Sequence, residues 1–331
     1  MNDALRELLQ QTSRSFYLTL RVLPRAVRSP IGLAYLLART TDTIADSEII
    51  PVDQRLRALQ QLRDRILGLR NTFLDFTELA GRQGDPAERT LLEKCDLSLA
   101  QLRDLSPADL QRVREVLKTI IGGQELDLQR FANASFESII ALKNESELDD
   151  YTYRVAGCVG EFWTKMCRAH LFPEAKLDEV RLLDEAVRFG KGLQLVNILR
   201  DLPADLRMGR CYLPADKLAQ GGLQPADLLQ PINHGKFSPV YQRHLDAAEA
   251  HLAAGWKYTN TIPRGQVRVR LACAWPILIG LETIRRLRPG NILETGQRIK
   301  ISRADVRKII VRSVLWYPSA SAWRRLAPLP A

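Results

Sequence analysis

Apolar residues recur every three to four positions along most of the chain, the spacing of helices with one buried face. Strict alternation of apolar and polar residues, which is typical of half-buried strands, is scarce. The pattern predicts helices at residues 3–10, 30–46, 53–70, 87–103, 107–121, 241–258, 267–288 and 303–316, with further helical stretches at 146–170 and from 190 onward. The sequence therefore predicts an all-α fold.

A polar stripe interrupts the apolar helix predicted at 30–46. Tyr35, Arg39, Asp42 and Asp46 follow one another at spacings of four, three and four, which places them on one helix face. The rest of this helix is apolar nearly all round, and a buried carboxylate is costly unless a cation meets it. We therefore expect Asp42 and Asp46 to face a cavity.

A second polar stripe lies about 160 residues further along the chain. Its members, again at helical spacing, are Gly190, Gln194, Asn197, Asp201 and Asp205. Pro203 stands between the two acids, where it removes one helical hydrogen bond and crowds the preceding turn. We expect the helix to kink or end there, which would leave Asp205 less well aligned.

The two acid pairs suggest a metal-dependent chemistry. Mg²⁺ takes oxygen ligands and is usually held by one or two carboxylates together with substrate phosphates. Arg39, Arg200 and Arg210 stand near the acids, and the guanidinium fork matches the geometry of phosphate oxygens. The sequence thus predicts a Mg²⁺–diphosphate site formed by two helices that face each other across an apolar cavity.

Composition narrows the possible partners of the protein. The chain has 331 residues, enough for the one domain that we expect over 1–331, and a formal net charge of +10. Such a charge suits nucleic acid, an anionic membrane or anionic small molecules. No basic run with interleaved aromatic residues is present, so we expect no nucleic-acid partner. The basic amphipathic segment at about 303–331 is either a packed terminal helix or a membrane contact, with Val306, Ile309, Ile310 and Val314 as its apolar face.

The five cysteines and the N-terminal residues indicate a compartment. The cysteines are odd in number and form no CxxC pair, which favours reduced, buried thiols over disulfides or a zinc site. The N-terminal residues lack the pattern of a signal peptide, and no apolar run is long enough to span a membrane. We expect a cytoplasmic protein, with peripheral membrane contact as an option.

Several positions keep two interpretations at this stage. The segment Thr12–Phe16 is either a helix N-cap or a turn that contacts phosphate. Gln124 and Asp127 line a cavity or a solvated face, and the small residues around Gly157 allow either close helix packing or room for a ligand. Tyr151, taken alone, is a core tyrosine.

Four ordered motifs resemble the squalene/phytoene synthase family over roughly residues 11–303. They are SRSF at 13–16, DTIAD at 42–46, YxxxVAGxxG at 151–160, and LQLVNILRDLPAD followed by GRCYLP at 193–214. The resemblance implies the isoprenoid-synthase fold, a helical bundle around a central apolar cavity. It also implies head-to-head joining of two prenyl diphosphates by a prenyltransferase.

The resemblance implies roles for individual residues of this chain. The Mg²⁺-binding acids implied are Asp42, Asp46, Asp201 and Asp205. The residues implied to hold diphosphate or order the metal shell are Ser13, Arg14, Arg39, Asn197, Arg200 and Arg210. Tyr151 matches a tyrosine that assists proton transfer in the first half-reaction. Polar or small cavity positions are Gln124, Asp127, Gly157 and Gln194.

The resemblance leaves the product open. The motif DTIAD favours a squalene synthase that uses farnesyl diphosphate and NADPH, with Lys300 or Arg303 meeting a phosphate of the cofactor. Ala272 and Ser302 depart from the eukaryotic squalene synthase pattern, which keeps phytoene, dehydrosqualene or hydroxysqualene synthase as alternatives. A helical assembly factor without catalysis is a further alternative, and the intact acid pairs argue against it.

Overall fold

The computed structural model describes residues 3–13, 16–294 and 299–327. Within these ranges the chain is overwhelmingly helical, which confirms the predicted all-α fold. The Cα positions group into two compact units, Met1–Ala132 with Phe162–Glu174, and Asn133–Glu161 with Ala175–Ala331. The single domain expected over 1–331 stays a prediction.

The first unit is built from helices that bury leucine and isoleucine side chains. They are α1 (Asp3–Thr12), α2 (Phe16–Val22), α3 (Arg25–Asp46), α4 (Val52–Leu67), α5 (Thr77–Gly81), α6 (Pro86–Glu93), α7 (Cys95–Ala100) and α8 (Pro107–Arg130), with a 3₁₀ turn at Gln101–Asp104. Helix α3 packs on α4 and α8, and α4 packs on α8. This packing buries residues such as Leu37, Leu62 and Ile121.

Three boundaries of the first unit differ from the sequence-based prediction. Helix α3 begins at Arg25 rather than residue 30, because burial of Val27 outweighs the cost of an internal Pro30. The helix predicted at 87–103 is broken at Lys94 into α6, α7 and the 3₁₀ turn. Helix α8 runs past Gly122 and Gly123 to Arg130, because buried neighbours on either side offset the roughly 1 kcal/mol that each glycine costs.

The second unit contains the longest helices and a small sheet. Its elements are β1 (Ile140–Leu142), α9 (Glu145–Thr152), a π-helical turn (Tyr153–Gly157), the start of α10 (Cys158–Leu171, which belongs to the first unit from Phe162 onward), α11 (Glu179–Arg207), β2 (Arg210–Pro214), α12 (Ala215–Gln220), 3₁₀ turns at Pro225–Leu229 and Pro231–Asn233, α13 (His234–Thr261), α14 (Val267–Leu287), α15 (Arg303–Trp316) and α16 (Ala320–Arg324). Helix α11 packs along α13, and α14 packs on both.

The sheet consists of β1 and β2, which run parallel with Ile140 opposite Arg210 and Ala141 opposite Cys211. The sequence did not predict it, because strands of three and five residues are too short to show an alternating pattern. Helix α13 also begins at His234, seven residues before its predicted start.

The sequence predicted that the helix kinks or ends at Pro203, and an end at that residue is wrong. Helix α11 continues through Pro203 to Arg207, so Asp205 remains on it. In a regular helix the amide of residue 203 would donate to the carbonyl of Leu199, and proline has no amide hydrogen to donate. The buried hydroxyl of Tyr241 on α13 donates to that carbonyl instead, at 3.0 Å.

The structure also describes the cysteines and the last long helices. All five cysteines are buried free thiols. Helices α14 and α15 follow the predicted bounds closely. No helix in residues 3–13, 16–294 and 299–327 is long and apolar enough to cross a membrane.

Candidate functional site

The acidic pair of the first unit lies in the last turns of α3. Asp42 is half-buried and accepts a hydrogen bond from the side-chain amide of Gln124 on α8, whereas Asp46 is exposed. Burial raises the pKa of Asp42 to about 6, and the charge of Asp46 adds to this effect, while Arg39 and the Gln124 hydrogen bond oppose it. A carboxylate held in this way has an unfavourable charge that a bound cation would relieve.

The amide of Gln124 offers an oxygen next to this carboxylate. Gln124 is buried, and its Oε1 atom has no hydrogen-bond partner within the described residues. An orphaned buried carbonyl oxygen beside a carboxylate is a suitable ligand or water acceptor for a hard cation. Asp127, three residues further along α8, is half-buried, so neither side chain lies on a fully solvated face.

Arg39 is engaged with a residue that sequence reasoning missed. Its guanidinium forms an ion pair with Glu88 of α6, and both side chains are about one quarter exposed. Glu88 lies 49 residues away and belongs to no motif, so no spacing in the sequence could have connected it with Arg39. A diphosphate that binds Arg39 therefore meets a guanidinium that Glu88 already holds in place.

The segment after α1 is only partly described. The hydroxyls of Thr12 and Ser13 donate to the carbonyls of Leu8 and Leu9, so both side chains close the C-terminal end of α1. Ser13 is buried. Arg14 lies outside the described residues.

The acidic stripe of the second unit runs along α11 without a break. Gln194, Asp201 and Asp205 are half-buried, and Asn197 is exposed. Arg200 donates through Nε to the carboxylate of the adjacent Asp201 at 3.0 Å, and a second, shorter bond from its Nη2 completes a two-point contact. Carboxylate, guanidinium and amide groups thus alternate along one stretch of helix.

Tyr151 lies in the last turn of α9 and is half-buried. Its ring stacks on Tyr212 of β2, with ring centroids 4.6 Å apart and an interplanar angle of 27°. The GRCYLP motif contains Tyr212, but no spacing in the sequence connects the two rings, which only the small sheet and α9 bring together.

The small residues of the second unit serve close packing. A Cβ atom at Gly160 would lie 2.0 Å from the carbonyl oxygen of Ala186, and one at Gly190 would lie 2.2 Å from that of Ala156. Gly157 is buried as well, against the side chains of neighbouring residues. Close helix approach, one of the two interpretations of these glycines, therefore explains Gly160 and Gly190.

Three further predicted residues lie at or beside the start of a strand or a helix. Arg210 is half-buried and is the first residue of β2. Lys300 and Arg303 are both exposed beside the N-terminus of α15, where Arg286 donates to the carbonyl of Lys300 and Ser302 caps the helix. Two exposed cations at a helix N-terminus suit a phosphate group. Ala272 is buried inside α14.

No group of three or more His, Cys, Asp or Glu side chains within the described ranges is arranged to hold a metal ion. Each acidic helix instead supplies two carboxylates. Mg²⁺ accepts such an incomplete protein shell, because water and substrate phosphates take its other positions. The donor set therefore fits Mg²⁺ with a phosphorylated substrate.

Comparison with known proteins shows which family these features belong to. The pattern of the squalene/phytoene synthase family matches residues 9–305. The presqualene diphosphate synthase of Rhodopseudomonas palustris is 32% identical over 254 residues, which cover 77% of each chain. A 15-cis-phytoene synthase of Synechocystis sp. is 28% identical over 283 residues, covering 83% of this chain and 72% of the relative.

Solved structures agree on the fold. A ligand complex of TcSQS superposes with a TM-score of 0.79 at 21% identity, covering 98% of this chain and 89% of that one. This likeness confirms the isoprenoid-synthase helical fold. Members of the family condense prenyl diphosphates head to head. The chain is a prenyltransferase that belongs to the squalene/phytoene synthase family.

Proposed function

We propose that the protein is a squalene synthase that joins two farnesyl diphosphates through presqualene diphosphate and reduces this intermediate with NADPH. The observation that carries the proposal is the pair of acidic helix stripes, Asp42 with Asp46 and Asp201 with Asp205, each accompanied by an arginine. Paired carboxylates with adjacent guanidinium groups suit a diphosphate that leaves together with its cations.

The four aspartates would hold Mg²⁺, with Gln124 Oε1 as an additional oxygen near Asp42. Bound Mg²⁺ supplies Lewis-acid neutralisation of the charge that develops on the departing diphosphate. The residues of the chain do the rest of the binding. Asp42 would stay ionised once its charge is matched. Gln124 and Arg200 hold the carboxylates of Asp42 and Asp201, respectively, in place.

The arginines would orient the diphosphate. Arg39 and Arg200 are each held by a carboxylate, so their guanidinium planes are already ordered before a substrate binds. An ordered guanidinium loses less conformational freedom when it grips a phosphate. Ser13, Arg14, Asn197 and Arg210 would complete the diphosphate contacts, and Asp127, Gly157 and Gln194 would border the prenyl chains.

Tyr151 would assist proton transfer in the first half-reaction. Stacking on Tyr212 fixes the plane of its ring and therefore the direction of its hydroxyl. Tyr151→Phe should slow the formation of presqualene diphosphate and leave the conversion of supplied presqualene diphosphate largely intact. A defect confined to the second step would show that this role is wrong.

Lys300 and Arg303 would bind a phosphate of NADPH beside the N-terminus of α15. The cofactor supplies hydride for the last step when it is bound. In the chain itself, Ser302 and Asp305 bond to each other, and Arg286 ties this segment to α14. A double variant, Lys300→Gln with Arg303→Gln, should weaken NADPH binding without altering the formation of presqualene diphosphate.

A second candidate function is release of presqualene diphosphate as the end product. The relative from Rhodopseudomonas palustris, a presqualene diphosphate synthase, favours it. In that case the chain carries out only the first half-reaction, and no reductant is needed.

Product analysis separates these functions. The purified protein is incubated with farnesyl diphosphate and Mg²⁺, with and without NADPH, and both hydrocarbons and diphosphates are identified by mass. Squalene that forms only with NADPH supports the proposal, and presqualene diphosphate that accumulates in both reactions supports the second candidate. Dehydrosqualene or hydroxysqualene irrespective of NADPH, or phytoene from geranylgeranyl diphosphate alone, contradicts both. Asp201→Asn is the inactive control.

We also propose that α15 makes the peripheral membrane contact. A hydrogen bond holds α15 to α14, since Trp275 Nε1 donates to the hydroxyl of the buried Ser313 at 2.9 Å. Val311 and Leu315 are 56% and 70% exposed, and Val314, a residue of the predicted apolar face, is exposed as well. Exposed cations flank these residues at Arg307, Lys308 and Arg312.

An exposed apolar strip with basic flanks matches an anionic bilayer surface. Co-sedimentation with vesicles of phosphatidylcholine, with and without phosphatidylglycerol, tests this contact. Wild type should bind the anionic vesicles, and Val311→Ser with Leu315→Ser should weaken binding about tenfold. Val180→Ser, at an exposed valine of α11, is the control. Equal binding of all three proteins would contradict the assignment.

A further inference from the structure

The backbone hydrogen bonds of α11 are interrupted within its acidic stripe. Pro203 lies between Asp201 and Asp205, and the amide hydrogen that would bond to the carbonyl of Leu199 is missing there. A proline ring also crowds the carbonyl four residues before it. Helices commonly kink at such a position, which would turn Asp205 away from the face that carries Asp201.

A side chain from another helix fills this gap. The hydroxyl of Tyr241 on α13 donates to the Leu199 carbonyl at 3.0 Å, and both residues are almost completely buried. Phe237 packs against the Tyr241 ring at 5.4 Å between ring centroids, one turn earlier on α13. Burial raises the pKa of Tyr241, so the phenol stays protonated and remains a donor at neutral pH.

The length of α11 beyond the proline agrees with this role. The helix continues for four residues past Pro203, and its end is satisfied in the usual way, with Met208 donating to the carbonyl of Asp205. Leu202 and Leu206, on either side of the proline, are buried and keep the last turn against the unit. The unusual feature of α11 is therefore the carbonyl of Leu199, which accepts a hydrogen bond from a side chain of another helix.

We propose that Tyr241 is a positioning residue: its hydroxyl replaces the missing amide of Pro203 and thereby keeps Asp201 and Asp205 on one continuous helix face. This inference rests on the proposed function only for its consequence, the alignment of the two acids for Mg²⁺. The replacement of the amide by the hydroxyl is a statement about the fold and is testable without substrate or metal.

A double-mutant cycle tests the replacement. Tyr241→Phe removes only the hydroxyl and leaves a buried carbonyl without its donor, which should lower the folding equilibrium constant about 5- to 150-fold. Pro203→Ala restores a backbone amide that bonds to the Leu199 carbonyl. In the Pro203→Ala background, Tyr241→Phe should therefore cost less than about threefold. Denaturant titration without metal measures the free energy of unfolding of wild type, the two single variants and the double variant.

A second internal proline is the control for nonspecific coupling between a proline substitution and Tyr241→Phe. Pro276 is an internal proline of α14, and its missing amide leaves the carbonyl of Ala272 without the usual helical donor. The hydroxyl of Tyr241 donates to Leu199 and not to Ala272. Pro276→Ala should leave the cost of Tyr241→Phe unchanged. Equal costs in the wild-type and Pro203→Ala backgrounds would overturn the proposal.

A second readout tests the positioning itself. Hydrogen exchange of the amides at residues 204–207 should become faster in Tyr241→Phe and return to the wild-type rate in Tyr241→Phe with Pro203→Ala. The same variants are titrated with Mg²⁺ in the presence of inorganic pyrophosphate, and thermal unfolding is followed. Tyr241→Phe should need several-fold more Mg²⁺ for half of the stabilisation, and Pro203→Ala should restore the wild-type value.

The outcomes separate the inference from the proposed function. If wild type shows no Mg²⁺–pyrophosphate stabilisation, the metal assignment fails, while the unfolding cycle and hydrogen exchange still decide the role of Tyr241. If Tyr241→Phe unfolds more readily but keeps wild-type Mg²⁺ dependence and exchange at 204–207, Tyr241 only stabilises the core and the positioning role is refuted.

Discussion

Replacing Asp42 by asparagine should make the metal-free protein more stable at neutral and alkaline pH. The carboxyl of Asp42 has its pKa raised from 3.8 to about 6 by burial and by the charge of Asp46. The folded protein therefore binds a proton at Asp42 more tightly than the unfolded chain does. Its free energy of unfolding consequently falls as pH rises from about 4 to about 6 and stays lowered above that range.

The size of the effect follows from the shift. A difference of about 2 pKa units, at 1.36 kcal/mol per unit, corresponds to about 3 kcal/mol. Asparagine has the shape of aspartate without its charge, and its carbonyl oxygen still accepts the hydrogen bond from Gln124. We therefore expect Asp42→Asn to gain up to about 3 kcal/mol at pH 8 and little at pH 4.

Denaturant unfolding in the presence of a chelator, at pH 4 and pH 8, measures this difference. Asp305→Asn is a control of opposite sign, because hydrogen bonds from Arg286 and Ser302 hold the pKa of Asp305 at about 2, so its charge favours the folded state at pH 8. A gain for Asp42→Asn that is the same at both pH values, or no gain at pH 8, would refute the reasoning.

The same substitution separates stability from function. Adding Mg²⁺ with inorganic pyrophosphate should stabilise wild type and leave Asp42→Asn almost unchanged, while turnover of the variant falls by orders of magnitude. A residue that destabilises the empty protein and is needed for its chemistry is typical of a binding site whose charge is balanced only by its ligand.

Three further changes have defined outcomes. Gly190→Ala should lower the free energy of unfolding by about 3 kcal/mol or more in denaturant titrations, because its Cβ would lie 2.2 Å from the Ala156 carbonyl oxygen, whereas Gly81→Ala, with open space around the new methyl group, should cost far less. Tyr212→Leu should lower the rate of condensation by removing the ring beneath Tyr151, and Tyr212→Phe should retain it, as measured by product formation. Asp201→Asn should reduce Mg²⁺-dependent turnover by orders of magnitude with little loss of stability, and near wild-type turnover would exclude Asp201 as a metal ligand.

Sequence patterns alone established the helical architecture and the resemblance to the family. Helical periodicity sufficed for the fold class because it follows directly from which residues must be buried. Helices such as α14 and α15 were located closely. The four ordered motifs pointed to the family, and the acid stripes predicted a diphosphate site, since which side chains share one helix face is a local property that the chain itself encodes.

Tertiary contacts decided the rest. The sequence could not show that α11 survives Pro203, because the donor that compensates for the missing amide comes from Tyr241, 42 residues away. It could not pair Arg39 with Glu88 or stack Tyr151 on Tyr212, since neither pair has a fixed spacing. The raised pKa of Asp42 was not predictable either, because its burial and its contact with the amide of Gln124 exist only once α3 and α8 have packed. Local periodicity therefore fixes which side chains share a helix face, and only long-range packing decides what that face meets.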